Sequence, residues 1–297
     1  MVQGHYQVIS GAKASQPLDS GHERDGTVPA RVTWPAYSRD MREETSMSDY
    51  DRNVAARGFD AARGVAIDAG LRAYMIRVYN YMAAGVALTG VVAWLTFNAA
   101  VQTTASGTLA LTSFGQTIYG GPVVIVLFLA TLGLVFFLSF RISSLQPSTA
   151  LMLFMVYAGL LGVMLSSVFL TYTHGSIART FFITAASFGA LSLYGYTTQR
   201  DLSPIGSFLV MGLFGIILAM IVNLFLKSPG LEFAISAIGV LVFAGLTAWD
   251  TQRIKEVYSS NDDGTAVSRK AVMGALTLYL DFINLFLFML RFLGDRR

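Results

Sequence analysis

From Val78 onward the chain alternates between long apolar stretches and short polar ones. Seven apolar runs recur: Val78 to Phe97, Pro122 to Phe140, Ser148 to Thr171, Ile177 to Tyr196, Ile205 to Leu226, Leu231 to Trp249 and Val272 to Leu293. Each is close to the ~20 residues that a helix needs to cross the hydrocarbon of a bilayer. Continuous runs of this length, unlike alternating segments of about ten residues, specify helices and argue against a membrane barrel. Pro122, Pro147, Pro204 and Pro229 stand at the entrances of four runs, where the first helical turn tolerates a missing N–H. The pattern predicts an all-α, polytopic membrane protein, a bundle of seven transmembrane helices.

Ahead of the runs the pattern is absent. Residues 1–46 are polar, contain Pro17, Pro29 and Pro35, and show neither an apolar period nor the apolar core of a signal peptide. The expectation is a largely disordered polar segment over 1–74 and a membrane domain over 75–297. Met47 opens a better protein start, so residues 1–46 read as a disordered tail or as an over-extended gene start.

Composition agrees with the pattern. The chain is 54% hydrophobic and 13% charged, about half the charged fraction of a typical soluble domain. It has no cysteine, which excludes disulfides and thiolate metal sites. His5, His22 and His174 are scattered. The sequence shows no phosphate loop, no Ser/His/Asp arrangement and no basic-aromatic surface, so neither an enzyme nor a nucleic-acid partner is expected.

Charge also orients the chain. With the N-terminus cytoplasmic, the inner segments hold Arg63, Arg72, Arg77, Arg141, Arg200, Arg253, Lys255, Arg269 and Lys270, while the outer loops hold only Arg179 and Lys227. The connection from Asn98 to Gly121 carries no charge, as suits an exported loop. The tail GDRR disagrees, since seven crossings leave Arg296 and Arg297 outside. Either the last helix crosses fully or it is partly re-entrant; the other loops outvote the tail and favour crossing.

Few ionisable groups lie within the runs. Asp250 ends the sixth, Arg141 follows the second, and Asp281 lies midway along the seventh with Tyr279, Asn284 and Arg291. A charge in hydrocarbon is costly enough that such groups usually face a partner or a wet cavity. Asn284 follows Asp281 by three residues and Arg291 lies two turns further on, so the three share one helical face. That face turns inward, which makes the seventh helix a candidate for the centre of the bundle. Two carboxylates at close range do not both ionise comfortably, so they would share a proton or a cation such as calcium. A guanidinium such as Arg141 would favour their ionised form. The plainer alternative is that each aspartate bonds to a helix end or a hydroxyl, with Arg253 pairing Asp250 one turn along. Counted along the runs, Asp281 lies ~15 Å deeper than the start of its helix, and meeting Asp250 would require tilt or an aqueous vestibule.

The segments WDTQRIK, with Asp250, and LTLYLDFINLFLFMLRFLG, with Asp281, resemble the signature segments of the transmembrane Bax-inhibitor-motif family, in its bacterial branch. TTQRDLSPIGSFL (Thr197 to Leu209) and RVYNYMAAGVALTG (Arg77 to Gly90) match that branch too. The resemblance runs from about residue 60 to the C-terminus. It implies six helices around a central seventh, a bacterial inner-membrane location, and Asp250 and Asp281 in the paired-aspartate positions of a pH-sensing calcium leak. The family's second-span arginine would fall on Arg141 given a small insertion near Leu145 to Pro147. A glutamate that some members carry about three turns before it has no counterpart here. Bacterial relatives also restrain a membrane-anchored ATP-dependent protease.

Three readings compete. The first is a leak for calcium, or protons, controlled by the candidate metal or proton site Asp250/Asp281, with Arg141, Asn284 and Arg291 as gating or structural partners. The second is a non-transporting modulator of a membrane-anchored protease or another quality-control partner. The third is an aspartyl intramembrane protease, against which the GxGD context is missing: Asp281 sits in LDF and Asp250 in WDT. The partners expected are the lipid bilayer and, on the second reading, a membrane-anchored ATP-dependent protease; a calcium ion is the one cofactor considered.

Overall fold

The structure, a computed structural model, describes the backbone of residues 40–104, 108–142 and 144–297 and the side chains of the same stretches from Asp68 onward. The chain divides into two units, Met1–Arg57 and Gly58–Arg297. Within the first, residues 1–39 lie outside the described residues, and with them most of the segment expected to be a disordered tail. From Asp40 the backbone is helical, and α1 continues to Ala100. The boundary expected after residue 74 therefore falls inside a helix. Ala55, Ala56, Ala61 and Ala62 are strong helix formers, and Asp68 stands four residues before Arg72, a supporting spacing.

Among the described residues seven helices are long and apolar enough to cross a membrane: Asp68–Ala100, Gly121–Arg141, Pro147–Thr171, His174–Thr197, Ser203–Leu226, Pro229–Val257 and Gly264–Leu293. In chain order the elements after α1 are β1 (Val101–Thr103), β2 (Leu109–Leu111), α2 (Ser113–Tyr119), α3 (Gly121–Arg141), α4 (Pro147–Leu165), α5 (Val168–Thr171), α6 (His174–Thr197), α7 (Ser203–Leu226), α8 (Pro229–Val257) and α9 (Gly264–Leu293). Prolines occupy the first turns of α3, α4, α7 and α8, as their positions require. Side-chain oxygens of Thr173, Ser228 and Asp263 cap α6, α8 and α9 by accepting from backbone N–H groups. The protein is an all-α, polytopic membrane bundle.

Two departures from the apolar pattern are local. The uncharged connection after α1 folds into an antiparallel hairpin, Val101 opposite Leu111, followed by α2. The third span is broken at Ser166 and Ser167, whose hydroxyls donate to the Val163 and Met164 carbonyls 2.5 and 3.0 Å away. Such back-bonding competes with the helical ladder.

The centre of the bundle is α9. Inside its apolar window 61% of residues are buried, against 11% in α3 and 6% in α7. Helices α4, α6 and α8 pack on it directly, and α1 reaches it where the Tyr279 and Thr89 hydroxyls lie 2.6 Å apart. Small residues set the closest approaches. A Cβ on Gly195 would stand 2.1 Å from the Ala248 carbonyl oxygen, so α6 and α8 touch backbone to backbone. Gly162 plays the same part between α4 and α1. Gly90, Gly159 and Gly189, of the same sequence class, face open space.

The last helix runs the full length of the bundle. Beyond it, the Arg297 N–H donates to the Thr171 carbonyl at 2.9 Å and the Thr173 N–H to the Asp295 carbonyl at 3.1 Å. Arg296 forms an ion pair with Glu232 of α8, and Arg297 Nη2 lies 2.7 Å from His174 Nδ1. The tail is thus fixed at the end of the bundle where α5 meets α6 and α7 meets α8. Its two arginines have partners there, which offsets their conflict with the charge rule.

Candidate functional site

Helices α8 and α9 are antiparallel neighbours held in one register. Gly274 meets Ile254, Phe288 lies against Gly239 and Phe243, and Lys270 Nζ donates to the Val257 carbonyl at 2.9 Å. Each of these pairs joins positions nearly symmetric about the same turn. That register brings Asp281 opposite Asp250, and their carboxyl groups face each other at hydrogen-bonding range. Neither tilt nor a deep vestibule is needed. Both helices continue about two turns past their apolar runs, α8 to Val257 and α9 back to Gly264. Those extensions carry Gln252, Arg253, Lys255, Glu256, Arg269 and Lys270, polar residues that form helices well, so the ends of the apolar runs understate where the helices end. The ~15 Å offset reckoned from the runs disappears accordingly.

Both aspartates are buried, Asp250 at 9% exposure and Asp281 at 5%. Asp281 Oδ2 accepts no hydrogen bond. A buried carboxylate oxygen without a donor is expensive unless a proton or a cation compensates it. Arg253 stands one turn beyond Asp250, and its guanidinium carbon lies 5.5 Å from the centre of the Trp249 ring. Among the described residues no group of three or more His, Cys, Asp or Glu side chains converges. Calcium takes six to eight oxygens, more than two carboxylates supply.

Two cavities meet at the pair. The first, about 380 Å³, lies at the end of the bundle carrying the α8–α9 connection; Tyr74, Asp250, Arg253, Arg269 and Lys270 line it. The second, about 600 Å³, runs along α7, α8 and α9 and is lined by Asp250, Arg253, Thr277, Asp281, Asn284 and Arg291 among others. Asp250 belongs to both walls.

The remaining residues singled out in the sequence separate into two groups. Asn284 and Arg291 share the second cavity with the aspartates; the Asn284 amide donates to the Leu280 carbonyl at 2.8 Å, and the Arg291 guanidinium carbon lies 5.8 Å from the centre of the Phe288 ring. Arg141 is not brought to the pair. It closes α3 at an exposed position, lines neither cavity, and its backbone carbonyl accepts from Ser144. Tyr279 points away from the pair, with Phe154 and Tyr157 edge-on to its ring.

Sequence reasoning passed over Tyr74, Arg269 and Lys270. Tyr74 is almost fully buried, with a hydroxyl that makes no hydrogen bond. Arg269 Nε donates to the Leu145 carbonyl at 2.8 Å and ties the entrance of α9 to the α3–α4 connection. Lys270 pairs with Asp262 at 2.5 Å. The signal for the two cations was present, since they open the central helix on the aspartate side, but it was spent on topology alone. A chain of hydroxyls, Tyr79 to Ser192 at 2.6 Å and Ser192 to Thr251 at 2.9 Å, links α1, α6 and α8 next to Asp250.

The chain is similar to a family described as "Inhibitor of apoptosis-promoting Bax1", whose model matches residues 71–297. A protein of Rickettsia prowazekii is 48% identical over 84% of this chain and 100% of its own length. The inner membrane protein YbhL of Escherichia coli (strain K12) is 48% identical over 77% of this chain and 94% of its own. A protein of Caulobacter vibrioides is 43% identical over 84% of this chain and its full length.

Proposed function

This chain belongs to the family of inhibitors of apoptosis-promoting Bax1, and from that premise we propose that it is a pH-sensitive calcium leak gated by the Asp250–Asp281 pair. It sits in a bacterial inner membrane, as the name of its Escherichia coli relative says of that protein. Its N-terminus and the α8–α9 connection face the cytoplasm, on the side where lysine and arginine accumulate. One observation supports the reading above all: two buried carboxylates face one another where two cavities meet, one carboxylate oxygen having no hydrogen-bond donor.

The sign of the pH response follows from the pair. In acid the two groups share a proton, attract one another and hold α8 against α9. As pH rises that proton leaves, and the bare carboxylates repel. At ~4 Å and an effective dielectric constant of about 20, the repulsion is about 4 kcal/mol. That is enough to shift a two-state equilibrium by about three orders of magnitude. The helices part and the first cavity joins the second. The same unshared oxygens then attract a divalent cation, so the leak carries calcium from pH values at which the pair is ionised.

Calcium uptake into liposomes containing the purified protein, followed across pH, tests the proposal. Uptake should rise with pH in the wild type and lose its pH dependence in Asp281→Asn. Absence of uptake at every pH refutes the function.

A further inference from the structure

The geometry points to Arg291 as a charge-selecting residue where two cavities share a wall, on the opposite half of the bundle from the aspartates. A third cavity of about 720 Å³ opens at the end where the C-terminal tail is fixed, lined by Lys227, Glu232, Arg291 and Arg296 among others. It shares Met220, Leu287 and Arg291 with the cavity that holds Asp281. The three cavities therefore follow one another along α9, with common walls at Asp250 and at Arg291. We infer that they form one route along the bundle, with an acidic group at one shared wall and a basic one at the other.

At the second place the guanidinium stands between α9 and α7. Arg291 Nη1 is 4.0 Å from the Met220 sulfur, and the group lies over the Phe288 ring. Neither is an anion. The carboxylate of this cavity, Glu232, is engaged by Arg296, and Arg291 has no ion pair among the described residues. Its full positive charge thus projects along the route, about 10 Å beyond Asn284 by helical rise. A fixed charge at such a place favours anions and retards cations arriving from the tail end. For a leak it sets a low rate, and displacement of this side chain toward the membrane surface raises it. The cargo in this inference rests on the function proposed above; the route and the charge do not.

The test uses a readout that needs no ion flux. Asn284→Cys in this cysteine-free chain places a single thiol in the middle cavity. Its reaction with membrane-impermeant anionic and cationic methanethiosulfonates, added from the tail side, is timed with Arg291 intact and with R291K, R291Q and R291E. The anionic reagent should react faster by about tenfold, the scale of one charge acting at this distance. R291K should keep that preference, R291Q should abolish it and R291E should invert it. A thiol that reacts with neither reagent from that side overturns the route. A preference unchanged by both R291Q and R291E overturns the selecting role. If labelling behaves as expected while liposomes show no calcium uptake, the selecting residue stands and the calcium reading fails.

Discussion

A Cβ built on Gly274 of α9 would stand 2.9 Å from Cγ2 of Ile254 on α8. Even a methyl there would crowd the Ile254 side chain, and one turn and a half further along the same interface Asp281 meets Asp250. The absence of a side chain at Gly274 thus helps α8 and α9 to pack closely near the two carboxylates. Gly274→Leu should push α8 from α9 and mimic the ionised pair, at a cost of about 1–3 kcal/mol for overpacking. Thermal unfolding in detergent should show the lower stability. Calcium uptake should become faster in acid and less dependent on pH.

The two aspartates act as one unit in this account. Asp250→Asn and Asp281→Asn each remove the charge that would repel, and each side chain can still form a hydrogen bond with its neighbour. Either single variant should fold and lose most of the pH response. The double variant should differ little from either, because effects within a coupled pair do not add. Uptake measured on all four proteins checks this. Two independent, additive losses would show that the residues do not work together.

Topology has its own test. Single cysteines at Gln102 on the hairpin and Asn261 in the α8–α9 connection, both exposed, should label from opposite sides of the membrane. Asn261 should label from the cytoplasmic side. Labelling of both from one side would contradict the count of crossings.

The tail should contribute modestly. Its ion pairs, Arg296 with Glu232 and Arg179 with Asp295, are largely exposed, and exposed pairs are worth about 0–1 kcal/mol each. Glu232→Gln should therefore change the unfolding temperature little. Removal of residues 295–297 should have a larger effect, since it also deletes the backbone bonds to Thr171 and Thr173. Equal effects of the two changes would assign the tail's contribution to charge alone.

The spans were legible because length and apolarity alone define a membrane helix, and the four prolines marked helix entrances. The pairing of Asp250 with Asp281 was legible as chemistry but not as geometry. Helices need not end where hydrocarbon does, and contacts such as those of Gly274, Gly239 and Lys270 reveal the register. Arg141 illustrates the opposite case. Its place in the chain made it a partner for the carboxylates, yet it ends a helix that packs mainly on α4 and α2 and stands apart from the pair. Arg253, on the same helix as Asp250, is the cation beside it instead. The hairpin after α1 and the break at Ser166 left no mark in the apolar pattern. The hairpin is held at its base by the Thr112 hydroxyl donating to the Ala99 carbonyl, and the break by the serine hydroxyls, none of which periodicity records.

The central claim is that the carboxylate pair is a latch worked by protons, and the distance between α8 and α9 reports on it most directly. Spin labels at Glu256 and Thr265, exposed positions at the cytoplasmic ends of the two helices, would be measured from acid to alkaline pH. The wild-type distance should lengthen by several ångströms as pH rises, and stay constant in Asp250→Asn and in Asp281→Asn. A wild-type distance that does not change with pH, or a change that persists in both variants, would contradict it.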